Sequence, residues 1–450
     1  MRFKLTKEFL EDLRQAIESQ NNDWIIEHIH DLHFADIADL LDQLNYEEAK
    51  YVYFQLTEDV QADVLMELDE DVRDRFLKSL SSKEIAGQLE NLDSDDAADI
   101  LGELSDKEIH DVISQMDDNE AAEDIVELLN YDENTAGGLM QKEFIQAKMD
   151  WPVSRCLVEL RRQAENVEKV YSIYVVDDLN RLVGLLSLKR LLFANLKTQI
   201  RELFTSKNVI SVKTSDANED VAHIMDKYDL VAIPVVDYQN KLVGRITFDD
   251  VVDIIKEEAD KDFQMASGIS DRIESSSSVW HISRARLPWL LIGMIGGIFA
   301  ANVIAGFTDQ ISHIPTLALF IPLITAMGGN VGVQSSAIVV QSLAKGNDQF
   351  DNILKKIGKE FSVGLFNGAF LALIIYGIAS FFGNTTLGLV VSTSLFVVII
   401  FAGIFGTLIP LLLNKYKIDP ALATGPFVTT LNDVLGLFIY FTVGVLLYHV

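Results

Sequence analysis

The stretch PFVTTLNDVLGLFIYFTVGVLLYHV, Pro426 to Val450, has the length and apolarity of a membrane-spanning helix, yet it contains an acid, Asp433. A hydrocarbon layer about 30 Å thick is crossed by a helix of this size. A carboxylate at the centre of a span costs about 2.5–3.5 kcal/mol even on mild scales. The usual remedies are a basic partner, a proton, water or a cation. No Lys, Arg or His occurs within residues 314–343, 361–382, 386–414 or 421–448, so these spans offer no ion-pair partner. Asp433 therefore faces water, holds a proton or holds a metal ion.

Five spans are expected, at roughly 287–307, 315–343, 361–382, 386–414 and 421–447. The second and fourth are longer than a bilayer needs, which predicts tilt or an interfacial end. Arg284 and Arg286 precede the first span. Lys345, Lys355, Lys356 and Lys359 join the second to the third, and Lys415 and Lys417 join the fourth to the fifth. The other two joins contain no Lys or Arg. The positive-inside rule then predicts a cytoplasmic N-terminus and a C-terminus outside. The opening MRFKLTKEFLEDLR has no apolar core of a secretory signal.

Span two holds PLITAMGGNVGVQSSAIVV, with Gly328, Gly329, Asn330, Ser335 and Ser336. Span five holds Thr429, Thr430, Asn432 and Asp433. Small residues let helices approach and hydroxyls bond across them, which accounts for Gly293, Gly296 and Gly297 of span one as well. It does not account for a carboxylate. Pro426 removes a backbone donor and is expected to open the helix above it. The carbonyl of Thr429, four residues before Asp433, falls near the same helix face. Together with an amide oxygen of Asn432 or Asn330 these are hard oxygen ligands, which suit Mg²⁺ held through its water. Mn²⁺, Co²⁺ and Ca²⁺ accept similar ligands, whereas soft metals lack the thiols and imidazoles they prefer. A symmetric dimer would bring two copies of Asp433 around an axial pore.

The formal charge is −30, but residues 287–450 contain six acids and six Lys and balance to zero. The whole excess lies in residues 1–286. Such an acidic region argues against nucleic acid as a partner. The lone Cys156 permits neither an intrachain disulfide nor a multi-cysteine metal site. Within residues 1 to about 130 a beat of twelve residues ends each unit in a large apolar residue: Leu44, Leu56, Leu68, Leu80, Leu92, Leu104, Met116, Leu128. The units read as short helices opened by acidic or Ser/Thr residues. In DDAADILGEL, residues Ala97, Ile100, Leu101 and Leu104 share one face. Stacking would bury that face in a small superhelical array. Asp95, Asp96 and Asp99 crowd one helix end and could meet a divalent cation.

IYVVDDLNRLVGLLSLKRLL from Ile173 and IPVVDYQNKLVGRITFDDVV from Ile233 align at an offset of sixty residues. Each copy reads as strand, Asp-x-x-Asn turn, strand, helix. The pair resembles tandem CBS domains, which can bind adenosine nucleotides. That resemblance implies that Thr247 and Asp250 of the second copy contact phosphate and ribose of a nucleotide such as ATP. The first copy has Ser187 and then Arg190 in place of the Asp, so at most one site fits. No catalytic constellation is visible, and His223 stands alone, so the chain is not expected to be an enzyme. The second copy runs on into an acidic helix, where Asp253 and Glu257 share a face at the cost of like-charge repulsion.

With GGNVGVQSS in span two and DPALATGPFVTTLNDVLGL in span five, the whole chain resembles the MgtE family of bacterial magnesium channels. The fold class implied is a multi-domain α-helical membrane protein: an acidic α-superhelical N domain (1–135), two α/β CBS domains (136–200 and 201–252), a connecting or plug helix (253–280) and a five-helix transmembrane domain (281–450). The resemblance implies a homodimeric, Mg²⁺-selective channel of the cytoplasmic membrane. Asp433 would hold hydrated Mg²⁺, with the Thr429 carbonyl and Asn330 facing the ion and Asp419 at the cytoplasmic mouth. High cytosolic Mg²⁺ would close the gate by bridging acids. The ligands implied are Asp95 and Asp99 of the N domain, Asp216, Asp226 and Asp249 or Asp250 of the CBS pair, and Asp253, Glu257, Glu258, Asp260 and Asp262 of the plug. Two competing readings are a proton- or sodium-coupled transporter using Asp433 as its relay, and a membrane-anchored Mg²⁺ sensor that transports nothing.

Overall fold

The computed structural model describes residues 4–448, except 165–166, 168, 208, 271–272, 274–277, 345–352, 383 and 424. Lys345 of the second join and Thr424 of the expected fifth span lie outside the described residues. The chain divides into two compact units, Met1–Ile255 and Lys256–Val450.

The first unit opens with helices α1 (Lys7–Glu18), α2 (Asn22–Ile29), α3 (Phe34–Asp42), α4 (Tyr46–Tyr53), α5 (Glu58–Glu67), α6 (Glu70–Leu77), α7 (Ser82–Leu89), α8 (Ser94–Gly102), α9 (Asp106–Ile113) and α10 (Asn119–Leu128). From α3 to α9 each helix begins twelve residues after the last. The beat is set by the cap position. Asn45, Ser81 and Ser105 each form a capping box with the Glu three residues on, which satisfies backbone donors that no helix turn can reach. The apolar residues of the beat sit at the junctions: Leu68, Met116 and Leu128 are buried, and the others pack against the same core. Alternate helices stack, α3 on α5, α5 on α7, α7 on α9 and α8 on α10. Ala97, Ile100 and Leu101 are fully buried, as their spacing predicts, and Leu104 is half-buried.

The duplicated region begins with β1 (Ile145–Lys148) and α11 (Val153–Gln163), then β2 (Ile173–Val176), β3 (Leu182–Leu186) and α12 (Leu188–Leu192). The second copy has β4 (Val212–Lys213), α13 (Asn218–Tyr228), β5 (Ala232–Val236), β6 (Leu242–Thr247) and α14 (Phe248–Ala266). Each copy is a three-stranded sheet in which the first strand runs parallel to the second and the second antiparallel to the third. The leading strand and helix of each copy are additions to the strand–turn–strand–helix reading. β4 is two residues long, too short to show a period.

The turns match closely. Asn180 and Asn240 take φ of 59° and 61°, a left-handed conformation that Asn tolerates. Asp177 accepts from the N–H groups of Leu179 and Arg181, and Asp237 from those of Gln239 and Lys241. The two turns also pair with each other, Leu182 N–H donating to Asn240 O and Leu242 N–H to Asn180 O, each at 3.0 Å. The helical array shares one continuous core with the second copy, including Val212, Val221, Ile233 and Ile246, while the first copy has a separate core.

The second unit contains α15 (Val279–Gly306), α16 (Thr308–His313), a 3₁₀ turn at Pro315–Phe320, α17 (Ile321–Ala344), α18 (Ile353–Phe382), α19 (Thr385–Lys415), a 3₁₀ turn at Pro420–Ala423 and α20 (Pro426–Tyr448). Among the described residues, five helical segments are long and apolar enough to cross a membrane. The first and third begin earlier than expected, at Val279 and Ile353, because their leading turns are polar. α19 is central and packs on α17, α18 and α20, while α15 packs on α20. Close approach depends on glycine. A β-carbon on Gly296 would overlap the Thr430 methyl, and one on Gly332 would overlap the Asn432 amide. Pro426 is the first residue of α20. It starts the helix rather than opening it, because an N-terminal position needs no backbone donor.

Candidate ion path and cation-sensing sites

Asp433 lies on α20, half-buried against Gly329 of α17. A β-carbon on Gly329 would stand 3.7 Å from its Oδ1 and 3.4 Å from the Thr429 methyl. The absence of a side chain at 329 leaves room beside this carboxylate. Thr429 is one helical turn earlier, its hydroxyl bonded back to the carbonyls of Gly425 and Pro426 at 3.1 and 3.0 Å. Asn330 is exposed on α17. Asn432 has a different place: it is 2 % exposed, wedged on Gly332, and neither amide atom has a hydrogen-bond partner among the described residues. It packs α20 on α17.

Sequence reasoning missed Glu360. Its Oε1 accepts a 2.5 Å hydrogen bond from Ser335 Oγ and lies beside Gly403. The expected third span began one residue after it, so it was counted as part of the join.

Toward the start of α20, Asp419 Oδ1 accepts from the N–H of Ala421 at 2.8 Å. Asp262 on α14 is pushed above the usual carboxylate range by burial first, then by Asp419 and Glu258, with Lys261 opposing. Glu258 pairs with Lys261 at 3.0 Å. Asp253, Glu257 and Asp260 of the same helix are exposed. α14 ends at Ala266, and Gly268 follows with φ of 82°. A β-carbon on Gly268 would meet Pro426 Cγ at 2.7 Å, so the end of the acidic helix abuts the start of the helix that carries Asp433.

In the first unit, the start of α8 and the start of α14 form an acidic cluster. Burial is the first cause that raises Asp95, Asp96, Asp99 and Asp250. Asp95 is raised well above the ordinary value, with Asp96, Asp250 and Asp93 adding to the effect. Asp96 is raised to about 7, and Asp99 and Asp250 to about 6. The structure thus brings together Asp95, Asp99 and Asp250. Asp96, expected beside them from the sequence, joins the cluster, and the structure adds Asp93, which the sequence did not single out. Asp249 is exposed beside Asp250. Asp216 and Asp226 are not among the charges that act most strongly on this cluster. Asp216 instead accepts from the N–H of Lys213 at 2.8 Å, and Asp226 is exposed on α13.

Among the described residues no group of three His, Cys, Asp or Glu is arranged to hold a metal ion directly. Direct Mg²⁺ coordination needs oxygens about 2.0–2.1 Å from the ion, whereas an ion that keeps its water is held across a wider gap. Asp250 is also the acid proposed to touch nucleotide. Its Oδ2 accepts from Thr247 N–H and Oγ at 3.1 and 2.7 Å, which caps the start of α14.

Residues 321–443 match the family model described as a divalent cation transporter, and residues 32–134 that of the MgtE intracellular N domain. Residues 136–197 and 200–257 match the CBS domain. The magnesium transporter MgtE of Bacillus subtilis is 35% identical over 323 residues, which cover 72% of this chain and 71% of that protein. The Thermus thermophilus protein of the same name is 36% identical over 326 residues, 72% of each chain. A crystal structure of the cytosolic domain of the Mg²⁺ channel MgtE in complex with ATP is 33% identical, covering 54% of this chain and 99% of that one with a TM-score of 0.51. The soluble part of a magnesium transporter gives 31% identity, coverage of 56% and 99%, and a TM-score of 0.50. The chain belongs to the MgtE family of magnesium transporters.

Proposed function

We propose that the chain conducts Mg²⁺ into the cytoplasm down its electrochemical gradient, through a path lined by Asp433. The observation that carries this reading is the carboxylate itself. It is half-buried on a spanning helix beside Gly329, and the apolar stretches 314–343, 361–382, 386–414 and 421–448 contain no basic side chain to pair with it. A hydrated divalent ion supplies the missing positive charge and keeps the first-shell water that Mg²⁺ surrenders reluctantly. Thr429 and Asn330 complete an oxygen-lined path, and Asp419 draws cations to its mouth. The functional unit is a homodimer, in which two copies of Asp433 face one ion. The N-terminal half lies in the cytoplasm and the C-terminus outside, in agreement with the placement of Lys and Arg between spans.

The acidic groups of each unit sense cytosolic Mg²⁺. Asp95, Asp99 and Asp250, with Asp93 and Asp96, form one cluster. Asp262 and Asp419 form another, and Asp253, Glu257, Glu258 and Asp260 add charge along α14. Without metal, like charges repel; divalent ions neutralise them and favour the closed state. The relative whose cytosolic domain was crystallised with ATP supports nucleotide binding in the cytosolic half, and we assign it to Thr247 and Asp250 of the second CBS copy. The test is uptake into proteoliposomes with Mg²⁺, proton and sodium movements recorded together. Mg²⁺ entry that follows its own gradient alone is expected. Obligatory movement of protons or sodium would favour the coupled transporter instead.

A further inference from the structure

Gln141 and Arg245 form a buried polar pair that the CBS fold does not itself require. They are 3 % and 4 % exposed. Their backbones exchange two hydrogen bonds, Gln141 N–H to Arg245 O at 2.8 Å and Arg245 N–H to Gln141 O at 3.0 Å. Gly244 permits the approach, since a β-carbon there would stand 2.7 Å from Met140 Sδ and 3.0 Å from Gln141 O.

The first copy builds the same junction from different side chains. Leu185 exchanges two backbone hydrogen bonds with Thr205, at 3.1 and 2.9 Å, and Gly184 faces Phe204. So Leu185 stands where the second copy has Arg245, and Thr205 where it has Gln141. Burying a guanidinium is expensive unless every donor is used. Because the sister copy folds with leucine, the arginine answers a requirement other than folding.

Its hydrogen bonds show which. Arg245 Nε donates to Gln141 Oε1 at 2.6 Å, and Nη1 donates to the carbonyl of Lys169 at 3.0 Å. Arginine offers donors only, so the Gln141 amide is fixed with its oxygen toward Arg245. Its Nε2 must then face the other way, where it donates to Asp95 Oδ2 at 3.2 Å and approaches Asp93 Oδ2 at 3.5 Å. The second oxygen of Asp95, Oδ1, is buried and has no hydrogen-bond partner among the described residues. It belongs to the cluster of Asp93, Asp96 and Asp250.

We propose that Gln141 and Arg245 are positioning residues for a divalent-cation site at Asp95: the pair holds one carboxylate oxygen so that the other is presented to a hydrated Mg²⁺. The inference rests on the reading of the acidic cluster as a cation sensor. Loss of the relay leaves Asp95 free to turn and the site less organised before the ion arrives.

The test uses the full chain in detergent, with the protection of α8 against hydrogen exchange followed as Mg²⁺ is added. The double variant Gln141→Thr, Arg245→Leu installs the residues of the sister copy. It is expected to raise the Mg²⁺ midpoint about tenfold, the worth of one hydrogen bond to a charged group, and to reach the same protection at saturation. Arg245→Lys, which keeps a donor for Gln141, is expected to shift the midpoint less. An unmoved midpoint overturns the inference, and so does protection lowered equally at every concentration, the mark of a structural role only. Failure of the double variant to fold contradicts the premise drawn from the sister copy and likewise overturns it. If the unaltered chain shows no Mg²⁺-dependent protection, the sensor reading fails and the inference with it. A response in the unaltered chain with no shift in the variants leaves the sensor reading standing and removes the relay alone.

Discussion

Ser335 of α17 donates to Glu360 of α18 at 2.5 Å, and a β-carbon on Gly403 of α19 would stand 3.1 Å from the same Glu360 oxygen. One carboxylate thus bonds α18 to α17 and lies against α19. Ser335→Ala is expected to lower stability by about 1 kcal/mol, a typical worth for a hydrogen bond between membrane helices. Glu360→Gln keeps an acceptor oxygen and should lose less than Glu360→Ala. Thermal unfolding of the detergent-solubilised chain ranks the three variants.

Gly332 is held between two helices: its backbone meets Gly406 of α19, and the Asn432 amide of α20 lies against its α-carbon. A larger residue has nowhere to go. Gly332→Val is expected to prevent assembly of the membrane unit, whereas Gly297→Ala, with open space at its β-position, should be tolerated. Monodispersity on size exclusion distinguishes the two outcomes.

What could be read from the sequence follows from periodicity and local chemistry. The twelve-residue beat, the capping positions and the paired Asp-x-x-Asn turns are local, so residue type alone reveals them. Asp433 was conspicuous because an acid in an apolar run has few explanations. Glu360 was not, because it sits where the polar turn of a join becomes a span. The Gln141–Arg245 pair gave no signal either. Its partners are 104 residues apart, and a single Gln or Arg carries no period. Asn432 and Asn330 looked alike as oxygen ligands, and only packing separates the buried one from the exposed one.

The capping boxes give a prediction for the helical array. Ser81 N–H donates to Glu84 Oε2 at 2.7 Å, and the Glu84 N–H returns to Ser81 Oγ at 3.3 Å. Ser81→Ala should destabilise the array by about 1 kcal/mol. Ser82→Ala, one residue into the helix, serves as the control. Chemical denaturation followed by circular dichroism checks the difference.

Asp42 offers a pH dependence. Burial, then Asp69 and Asp39, raise its carboxyl from the ordinary 3.8 to about 6, and its Oδ1 is buried without a hydrogen-bond partner among the described residues. It also closes α3, where the negative end of the helix disfavours an anion. The folded state therefore binds this proton more tightly than the unfolded state. Its contribution to stability is greatest below pH 3.8 and is lost as pH rises through about 6. Asp42→Asn should stabilise the protein at pH 8 by about 1 kcal/mol once solvent screening is allowed for, and by less at pH 5. Unfolding midpoints at the two pH values decide it.

The central claim is that Asp433 holds a permeating divalent ion, and Mg²⁺ uptake by proteoliposomes containing Asp433→Ala tests it most directly. Uptake should fall to background while the protein stays folded by circular dichroism. Uptake equal to that of the unaltered chain would contradict the claim.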